Sequence, residues 1–366
     1  MRIALVCHRF YPHIGGVELH VKEIAEKFVR SNEVAVFTLE DNKNILPMET
    51  LNGIAITRYK PVRLSEAIRI PKLSLVKDIK AFEPNIIHVH NIHSLMPYFA
   101  DKAAVKAKLF FTPHYIGGSL TRFRRILFQL YKPFLSGVMN NATKIICISD
   151  VERQMLLRDF VINELKITIV PNGVDEELSK ISERRNDRKR NDERILSVGR
   201  LDLVHKRTDK LIKAFKQVTK NFDSRFVLVG DGPDKGKILD LIRKLSLEDR
   251  VTLKSNLTRH ELLDEYSRAS VFVMASENET YSIAVAEALA AGLKVVVPNT
   301  SGLTLFVRGG YAMGMDPPIT PEKIAEGIMN CIEETGSNNS RSLQRYIPYT
   351  WDTVAAQLEQ LYHQVI

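Results

Sequence analysis

The chain has 366 residues, 45% of them hydrophobic, and is therefore longer than a single hydrophobic core usually supports. Its three cysteines lie far apart in apolar contexts, which indicates reduced buried thiols and argues against a disulfide-stabilised or zinc-binding protein. The sequence has neither a signal peptide nor a run of about 18 uncharged apolar residues. We therefore expect a cytoplasmic protein of two domains that spans no membrane.

Apolar strands alternate with helical segments along the first part of the chain, from a strand at residues 3–7 to a strand at residues 144–148. This alternation predicts an α/β fold with a doubly wound parallel sheet, and the same pattern restarts at residue 195. Between the two, residues 183–194 carry no apolar side chain. Mixed charges and the lack of aromatic residues favour a solvated linker there over a nucleic-acid site.

The excess positive charge lies in the first domain, since the stretch from Arg58 to Lys144 has 15 basic and four acidic residues. Within it, residues 120–135 mix Arg122, Arg124 and Arg125 with bulky apolar residues at helical spacing. Such a helix can lie on an anionic membrane surface, and the inner face of the membrane would then be its location. A helix packed on the core with a basic outer face is the equal alternative. Nucleic acid is not expected, because no aromatic platform accompanies the charge.

Histidines follow two strands of the first domain. His114 comes directly after the strand at residues 109–112, and we expect it at the carboxyl end of the sheet, near the reacting atoms. A structural, hydrogen-bonded histidine is the alternative. His88, His90 and His93 suggest a metal site, but no cysteine or carboxylate joins them, so we predict that no metal is bound.

The second domain carries two glutamates around the start of a helix. Residues 276–282 are a polar loop and residues 283–291 an alanine-rich helix, which puts Glu279 before the helix and Glu287 two turns into it. Backbone amides at a helix start stabilise an anion, and four amides are expected there, those of Thr280, Tyr281, Ser282 and Ile283. A phosphate flanked by carboxylates for hydroxyl groups describes a nucleotide-sugar site; two unrelated glutamates on a solvated helix are the alternative.

Two basic residues follow the first strand of the same domain. Arg200 and Lys206 can clamp a diphosphate, Arg200 as a planar fork and Lys206 as a point charge. Exposed basic residues that only add solubility are the alternative. His205, beside Lys206, competes for the same role.

The chain resembles the retaining glycosyltransferases of family 4. The resemblance runs nearly end to end and rests on motifs in the order that the family has them. These are residues 11–18, 86–90, 112–114, 148–150, 170–175, 198–201, 229–233 and the pair Glu279 and Glu287.

This resemblance implies the GT-B fold, in which two Rossmann-like domains face each other across a cleft. It implies an acceptor-binding domain at residues 1–182 joined by a closing helix at 350–366, the linker at 183–194, and a donor-binding domain at 195–349. No cofactor is implied, because the nucleotide sugar is a substrate, and no metal is required. The chain also contains no Asp-x-Asp motif to hold one.

Site residues follow from the same resemblance. Glu287 is expected to accept hydrogen bonds from the ribose and Glu279 from the transferred sugar. Gly15 and Gly16 would let the backbone approach the diphosphate. Gly230 would border the base, or mark only an ordinary strand-to-helix turn.

We therefore predict metal-independent transfer of a hexose, with retention, from a UDP- or GDP-activated donor to an acceptor hydroxyl. The acceptor is a glycan or a lipid-linked glycan, as in polysaccharide or glycolipid biosynthesis. A sugar-nucleotide epimerase and a non-catalytic sugar-nucleotide-binding protein are the alternatives. Residues 298–305 lack the glycine pair and the acid that usually line the family's sugar pocket, so the sugar stays open.

Overall fold

The computed structural model describes residues 1–63, 69–117, 122–185, 193–336 and 343–366. The chain divides into two compact units. Unit 1 contains Met1–Gly173 and Tyr349–Ile366, and unit 2 contains Val174–Pro348. In the described ranges, no helix is both long and apolar enough to cross a membrane.

Unit 1 is built on an eight-stranded sheet with helices between the strands. The strands of this sheet are β1 (Arg2–Val6), β2 (Glu33–Leu39), β3 (Met48–Leu51), β4 (Ile54–Tyr59), β7 (Ile86–His90), β8 (Lys108–Thr112), β9 (Lys144–Cys147) and β10 (Ile167–Ile169). Two further short strands, β5 (Val62–Arg63) and β6 (Arg69–Ile70), form a separate ribbon. The helices of unit 1 up to this point are α1 (Gly16–Phe28), α2 (Ser74–Ala81), α3 (Met96–Ala103), α4 (Arg122–Asn141) and α5 (Asp150–Asp159).

The strand order of this sheet is β10-β9-β8-β7-β1-β2-β4-β3. Its neighbours are parallel except β3 and β4, which are antiparallel. The central strands are buried along their length; in β1, for example, the side chains from Ile3 to Val6 are fully buried. Continuous apolar runs of this kind are needed where helices cover both faces of a parallel sheet.

Unit 2 repeats the architecture with six strands. They are β11 (Glu193–Val198), β12 (Ser224–Val229), β13 (Val251–Lys254), β14 (Val271–Val273), β15 (Lys294–Pro298) and β16 (Met313–Met315). The helices are α6 (Glu177–Arg185), α7 (Thr208–Val218), α8 (Lys235–Lys244), α9 (Arg259–Arg268), α10 (Ile283–Ala290), α11 (Thr304–Arg308) and α12 (Pro321–Gly336). All strand pairs are parallel, in the order β13-β12-β11-β14-β15-β16. The predicted doubly wound α/β architecture is confirmed.

The boundary between the units differs from the predicted one. It lies at Gly173 and Val174, before the predicted linker at 183–194. The first three linker residues belong to α6, which packs against α9 and α10, and the last two belong to β11. The middle of the predicted linker, residues 186–192, lies outside the described residues, and the absence of apolar residues in a stretch does not by itself mark a domain boundary.

The last helix, α13 (Trp351–His363), belongs to unit 1 and packs against α1. Lys27 of α1 and Arg30, just after this helix, each form an ion pair with Asp352 at 2.6 Å. Tyr362 is fully buried against Phe110, with ring centroids 4.7 Å apart, and its hydroxyl lies 2.6 Å from Nδ1 of His88. Burial and paired charges thus fix the end of the chain on the unit where the chain begins.

Candidate functional site

A recess in unit 2 opens where β11, β12 and β14 end. It is lined by the ends of these strands and by the loop that leads into α7, and it brings Arg200 and Lys206 together. Both lie at the carboxyl ends of parallel strands, where doubly wound sheets bind their ligands. The two basic residues of the predicted diphosphate clamp are therefore neighbours in space.

Gly230 allows two strands to end side by side at this recess. Its φ is +154°, and a Cβ atom there would lie 1.9 Å from the carbonyl oxygen of Gly199. Any larger residue would push the end of β12 away from the end of β11. The structure therefore gives this glycine a packing role, while its predicted contact with the base stays a prediction.

Lys206 forms an ion pair with Glu279. The lysine side chain is 28% exposed and the glutamate side chain 13%. The backbone N–H of Glu279 donates to Oγ of Ser301 at 3.0 Å, which anchors the loop in front of α10. His205, the alternative to Lys206, instead lies 2.9 Å from a carboxylate oxygen of Asp202. Of the two neighbouring residues, only Lys206 is thus paired with a predicted sugar-binding carboxylate.

The loop that precedes α10 has the geometry of a tight turn. Ser282, directly before the helix, has a φ of +73°, in the left-handed region that few non-glycine residues adopt. Tyr281 is buried, and its hydroxyl lies 2.8 Å from that of Tyr346. The carbonyl of Thr280 leaves no room for a Cβ atom at Gly302. Ile283, the first helical residue, is also buried. The side chains of Tyr281 and Ile283 therefore face the interior of unit 2, and the predicted contact of the four backbone amides with an anion stays a prediction.

Glu287 is buried inside unit 2, and its two carboxylate oxygens have different partners. Nη1 of Arg259 donates to Oε1 at 2.6 Å, and the hydroxyl of Tyr266 donates to Oε2 at 3.0 Å. Burial and the adjacent carboxylate raise the pKa of Tyr266 well above its usual value. Burial alone would lower the pKa of Arg259, but the carboxylates of Glu287 and Asp175 outweigh it and raise that pKa. Glu287 is therefore a fixed anion with further lone pairs to offer a ligand.

Sequence reasoning missed both partners of Glu287. Arg259 is the first residue of α9, whose start is marked by a capping box of Thr258 and Glu261. This signature was available in the sequence and predicts the helix start. It does not show that the guanidinium reaches Glu287 and, through Nε, Asp175 at 3.1 Å.

In unit 1, His114 lies in a group of buried histidines. Its φ is +50°, and its Nε2 is 3.4 Å from Nδ1 of His90. The ring of His20 is 5.2 Å from that of His114, and its Nδ1 is 2.7 Å from the side-chain oxygen of Asn172. Burial, together with the charges that His20 and His88 would carry, lowers the pKa of His114 well below its usual value. His114 is therefore a neutral imidazole at neutral pH.

The nitrogen atoms of His20, His90 and His114 lie within 4.8 Å of one another, so this trio could reach one metal ion. The predicted alternative of His88, His90 and His93 is a different set. His88 is hydrogen-bonded to Tyr362 and Thr112, and His93 packs against Tyr115. Within the described ranges, no carboxylate contributes to the pKa of the trio or to its ligand set. The expectation that no metal is bound stays a prediction.

Gly15 and Gly16 lie at the start of α1 in unit 1 and differ in the space around them. A Cβ atom at Gly15 would lie 2.3 Å from a carboxylate oxygen of Glu18, whereas one at Gly16 would meet nothing within 4 Å. Gly15 is extended and its near neighbour is the end of a flexible side chain, so neither backbone strain nor a rigid contact requires glycine at either position. The predicted approach of these amides to a diphosphate stays a prediction.

Glu152 was also missed, and it holds the loop that carries His114. It is fully buried; Oε1 accepts from the backbone N–H of Tyr115 at 2.6 Å, and Oε2 accepts from that of Ile148 at 2.7 Å. One carboxylate thus ties the end of β8 to the end of β9. Burial raises the pKa of Glu152 to about 7, although the two backbone hydrogen bonds act to lower it.

Comparison with known proteins agrees with this geometry. Residues 14–178 match the family model described as Glycosyltransferase Family 4, and residues 179–349 match the model described as Glycosyl transferases group 1. The chain belongs to glycosyltransferase family 4. The resemblance stated from the sequence is confirmed, and the protein is a glycosyltransferase.

Curated relatives cover the whole chain at low identity. An uncharacterised glycosyltransferase of Methanocaldococcus jannaschii is 24% identical and covers 99% of this chain and 98% of its own. One subunit of the human phosphatidylinositol N-acetylglucosaminyltransferase is 23% identical, covering 99% and 76%. The GDP-mannose:cellobiosyl-diphosphopolyprenol alpha-mannosyltransferase of Komagataeibacter xylinus is 24% identical, covering 100% and 94%.

Solved structures share the fold over the whole chain. Sucrose-phosphate synthase from Thermosynechococcus elongatus superposes with a TM-score of 0.77 at 21% identity, covering 100% of this chain and 98% of that one. HepE of Anabaena, solved with UDP and glucose, superposes with a TM-score of 0.74 at 20% identity, covering 99% of each. The predicted GT-B fold class is confirmed.

The pairing of Arg259 with Glu287 can be tested through stability. In Arg259→Met, Glu287 stays buried without its cation, and we expect a loss of about 3 kcal/mol, the lower end for a broken buried pair because the guanidinium is partly exposed. The double variant Arg259→Met/Glu287→Gln removes both charges and should recover most of that loss. Tyr266→Phe, the matched control, should lose about 1 kcal/mol for one hydrogen bond. Scanning calorimetry measures all three; an Arg259→Met variant as stable as the wild type would contradict the role of the pair.

Glu152 should make the stability of unit 1 depend on pH. Its folded-state pKa of about 7 exceeds the ordinary value of 4.5, so between these values the folded state keeps a proton that the unfolded state has lost. Stability from this group is therefore complete below about pH 4.5 and falls as the pH rises towards 7. Glu152→Gln cannot titrate, so the wild-type-minus-variant difference in the free energy of unfolding should fall by about 3 kcal/mol across this window.

Urea unfolding followed by the fluorescence of Trp351 measures this difference, because this residue is the chain's single tryptophan and lies buried in unit 1. Glu164→Gln, which changes an exposed carboxylate of the same unit, should give a difference that does not vary between pH 4.5 and 7. A pH-independent difference for Glu152→Gln as well would show that Glu152 is not the titrating group.

Proposed function

We propose that this glycosyltransferase moves a hexose from a UDP- or GDP-activated donor to an acceptor hydroxyl, with retention and without a metal ion. The observation that carries the proposal is the convergence of Arg200, Lys206 and Glu279 at the carboxyl ends of the unit 2 strands. Two cations next to the start of α10 suit a diphosphate, and a carboxylate beside them suits the hydroxyls of a sugar. Glu287, fixed by Arg259, is the acceptor of ribose hydrogen bonds.

The leaving group determines the chemistry in this proposal. The bond between the sugar's anomeric carbon and the phosphate oxygen breaks while a bond to the acceptor oxygen forms on the same face. The acceptor's proton passes to the departing phosphate, so charge and atoms balance without a protein nucleophile. Arg200 and Lys206 stabilise the charge that grows on the phosphate, and removal of one such preorganised donor typically costs roughly 3–4 kcal/mol in the barrier.

In this proposal Lys206 pairs with Glu279 when no sugar nucleotide is bound, and with the diphosphate when the sugar nucleotide is bound. Its ammonium group is paired with Glu279 in the structure. A bound diphosphate offers a stronger anion to the same ammonium, which releases Glu279 to accept from a sugar hydroxyl. The pair therefore keeps both groups in place before the donor binds.

His114 is proposed to hydrogen-bond a hydroxyl group of a substrate. Because burial keeps its imidazole neutral, it can donate through one nitrogen and accept through the other. It is not suited to act as a general acid at neutral pH. Glu152 positions the loop that carries it.

The proposed reaction can be tested by a screen of UDP- and GDP-sugars, with glycan and lipid-linked acceptors, in the presence of EDTA. We expect transfer with one donor class, unaffected by EDTA, and an anomeric configuration that matches the donor's. Arg200→Ala and Lys206→Ala should each lower kcat at least a hundredfold through the leaving phosphate. Lys210→Ala, which removes a nearby lysine outside the recess lining, is the matched control and should leave kcat within a few-fold.

Four results would contradict parts of this proposal. Wild-type activity in Glu279→Gln, Arg200→Ala and Lys206→Ala would refute the site. Activity that EDTA abolishes and magnesium or manganese restores would refute metal independence. Isomerisation of the free sugar nucleotide without acceptor would favour the epimerase, and donor binding without turnover would favour the binding protein.

We also propose that the acceptor is lipid-linked and that unit 1 attaches to an anionic membrane surface through α4. Ile126, Leu130 and Phe134 recur every four residues on this helix and are 62%, 68% and 61% exposed. The side chains of Arg122, Arg124 and Arg125 lie outside the described residues, but the backbone places these residues at the start of the same helix. An apolar stripe with basic residues beside it suits a headgroup region. The names of two relatives, one containing phosphatidylinositol and one diphosphopolyprenol, support a lipid acceptor.

Membrane attachment can be tested by sedimentation with vesicles that contain phosphatidylglycerol. We expect binding at low salt that weakens at high salt, and loss of binding on Arg122/Arg124/Arg125→Glu. Leu130→Ser/Phe134→Ser should weaken binding at every salt concentration, because it removes apolar area and no charge. Val161→Ser, at an exposed apolar residue outside α4, is the control. Binding that none of the α4 changes affects would leave a soluble acceptor as the better interpretation.

A further inference from the structure

A basic cluster in unit 1 takes no part in the site described so far. It consists of His8, Arg9, Asp41, Arg63 and Arg69, and we call it the Asp41 cluster. His8 and Arg9 follow β1, and Asp41 follows β2, so the cluster lies where two neighbouring parallel strands have their carboxyl ends. This is the edge at which doubly wound sheets bind ligands.

Arginines of the ribbon formed by β5 and β6 face Asp41, the carboxylate that the described residues contribute to the cluster. Nε of Arg63 donates to Oδ1 of Asp41 at 3.0 Å, and its Nη2 lies 2.7 Å from Oδ2. Nε of Arg69 is 3.3 Å from the same Oδ2. Arg63 therefore hydrogen-bonds one oxygen of Asp41, while Oδ2 lies within ion-pair distance of Arg63 and Arg69 but has no hydrogen-bond partner among the described residues. Among the described residues, no acid forms an ion pair with Arg9.

Like charges are crowded here. Burial lowers the pKa of the Arg69 guanidinium, Asp41 offsets part of this effect, and the charges of Arg9 and Arg63 lower the pKa further. Burial, Arg69 and Arg9 together lower the pKa of His8 to about 4, so its ring is neutral. A neighbouring acid, Glu40, is already bound to His13 at 2.8 Å. Arg63 and Arg69 both pair with Asp41, and the charge of Arg9 acts on Asp41, Arg69 and His8, so an additional anion would relieve the repulsion between Arg9 and Arg69.

His8 supplies a polar atom that the fold does not use. Its Nδ1 is buried and has no hydrogen-bond partner within the described part of the chain. A buried polar atom without a partner costs free energy that a ligand can restore. Guanidinium forks in turn match the oxygen geometry of phosphate better than any other side chain.

We propose that the Asp41 cluster binds a phosphate group of the acceptor, through the guanidinium groups of Arg9 and Arg69 with His8 beside them. The phosphate is esterified to a lipid, as in a prenyl diphosphate, or to a sugar. That the phosphate belongs to the acceptor of the transfer rests on the proposed function, whereas the anion site itself is argued from residues of unit 1 alone. It makes the acceptor's phosphate, and not only its hydroxyl, a determinant of specificity.

Titration calorimetry tests the site with geranyl diphosphate and glucose 6-phosphate as probes, and with geraniol and glucose as uncharged controls. Saturating UDP or GDP, whichever binds, is present so that the diphosphate site of unit 2 is filled. We expect at least one phosphate probe to bind and neither uncharged control to do so. Tighter binding of geranyl diphosphate identifies a lipid source, and tighter binding of glucose 6-phosphate a sugar source.

Variants locate the binding. Arg9→Gln and Arg69→Gln should each weaken it at least tenfold, while Arg69→Lys, which keeps the charge and loses the fork, should weaken it less. Arg158→Gln removes an exposed arginine that pairs with an aspartate elsewhere in unit 1, and it should bind like the wild type. Unchanged binding of UDP or GDP to each variant shows that the protein is folded.

The site is refuted if neither phosphate probe binds, or if Arg9→Gln and Arg69→Gln bind like the wild type. Equal weakening by Arg158→Gln would show only a general charge effect and would also refute it. Probe binding that depends on Arg9 and Arg69 in a protein that binds neither UDP nor GDP would support the anion site and contradict the proposed donor. A failure of one proposal can therefore be told from a failure of the other.

Discussion

The buried charge of Glu287 is the constraint on which the second unit depends. A carboxylate without access to water needs a cation and hydrogen-bond donors close by, or it is neutralised. Arg259 and Tyr266 supply them, and both come from α9. Because Arg259 also binds Asp175, the start of unit 2, helix α9 and helix α10 are joined through one guanidinium group. Helix α10, and with it the loop that carries Glu279, thereby has a fixed position.

The ion pair between Lys206 and Glu279, beside the recess of unit 2, differs from the buried pair of Arg259 and Glu287 in its exposure to water. The side chains of Lys206 and Glu279 are partly exposed, so water weakens the pairing between them. The buried pair of Arg259 and Glu287 thus maintains the geometry of unit 2, and the partly exposed pair of Lys206 and Glu279 is the more easily separated of the two.

The sequence alone predicted what depends on local pattern. Alternating apolar segments indicated both parallel sheets, and strand-end position correctly brought Arg200 and Lys206 into one recess. Contacts between distant segments could not be predicted in this way. Arg259 is 28 residues from Glu287, and Tyr115 is 37 from Glu152, so only the folded chain shows these bonds.

The error at the domain boundary has a similar cause. A polar, charged stretch is expected of a linker, but it is equally expected of the exposed face of a helix, and α6 covers its first part. Composition reports contact with water and does not report which unit a segment packs on. The roles of His114, Gly15 and Gly16 stay predictions for a related reason, since position alone does not show what a residue binds.

Gly173, the last residue of unit 1 before the chain leaves it, lies directly against the point where the chain returns. A Cβ atom at this glycine would be 2.6 Å from the backbone nitrogen of Trp351, so the outgoing and incoming segments touch. Unit 2 is therefore an insertion whose two attachment points are adjacent on one host. Exchange of unit 2 between family members would need only two neighbouring joins, so this connectivity lets one unit change while the other is kept.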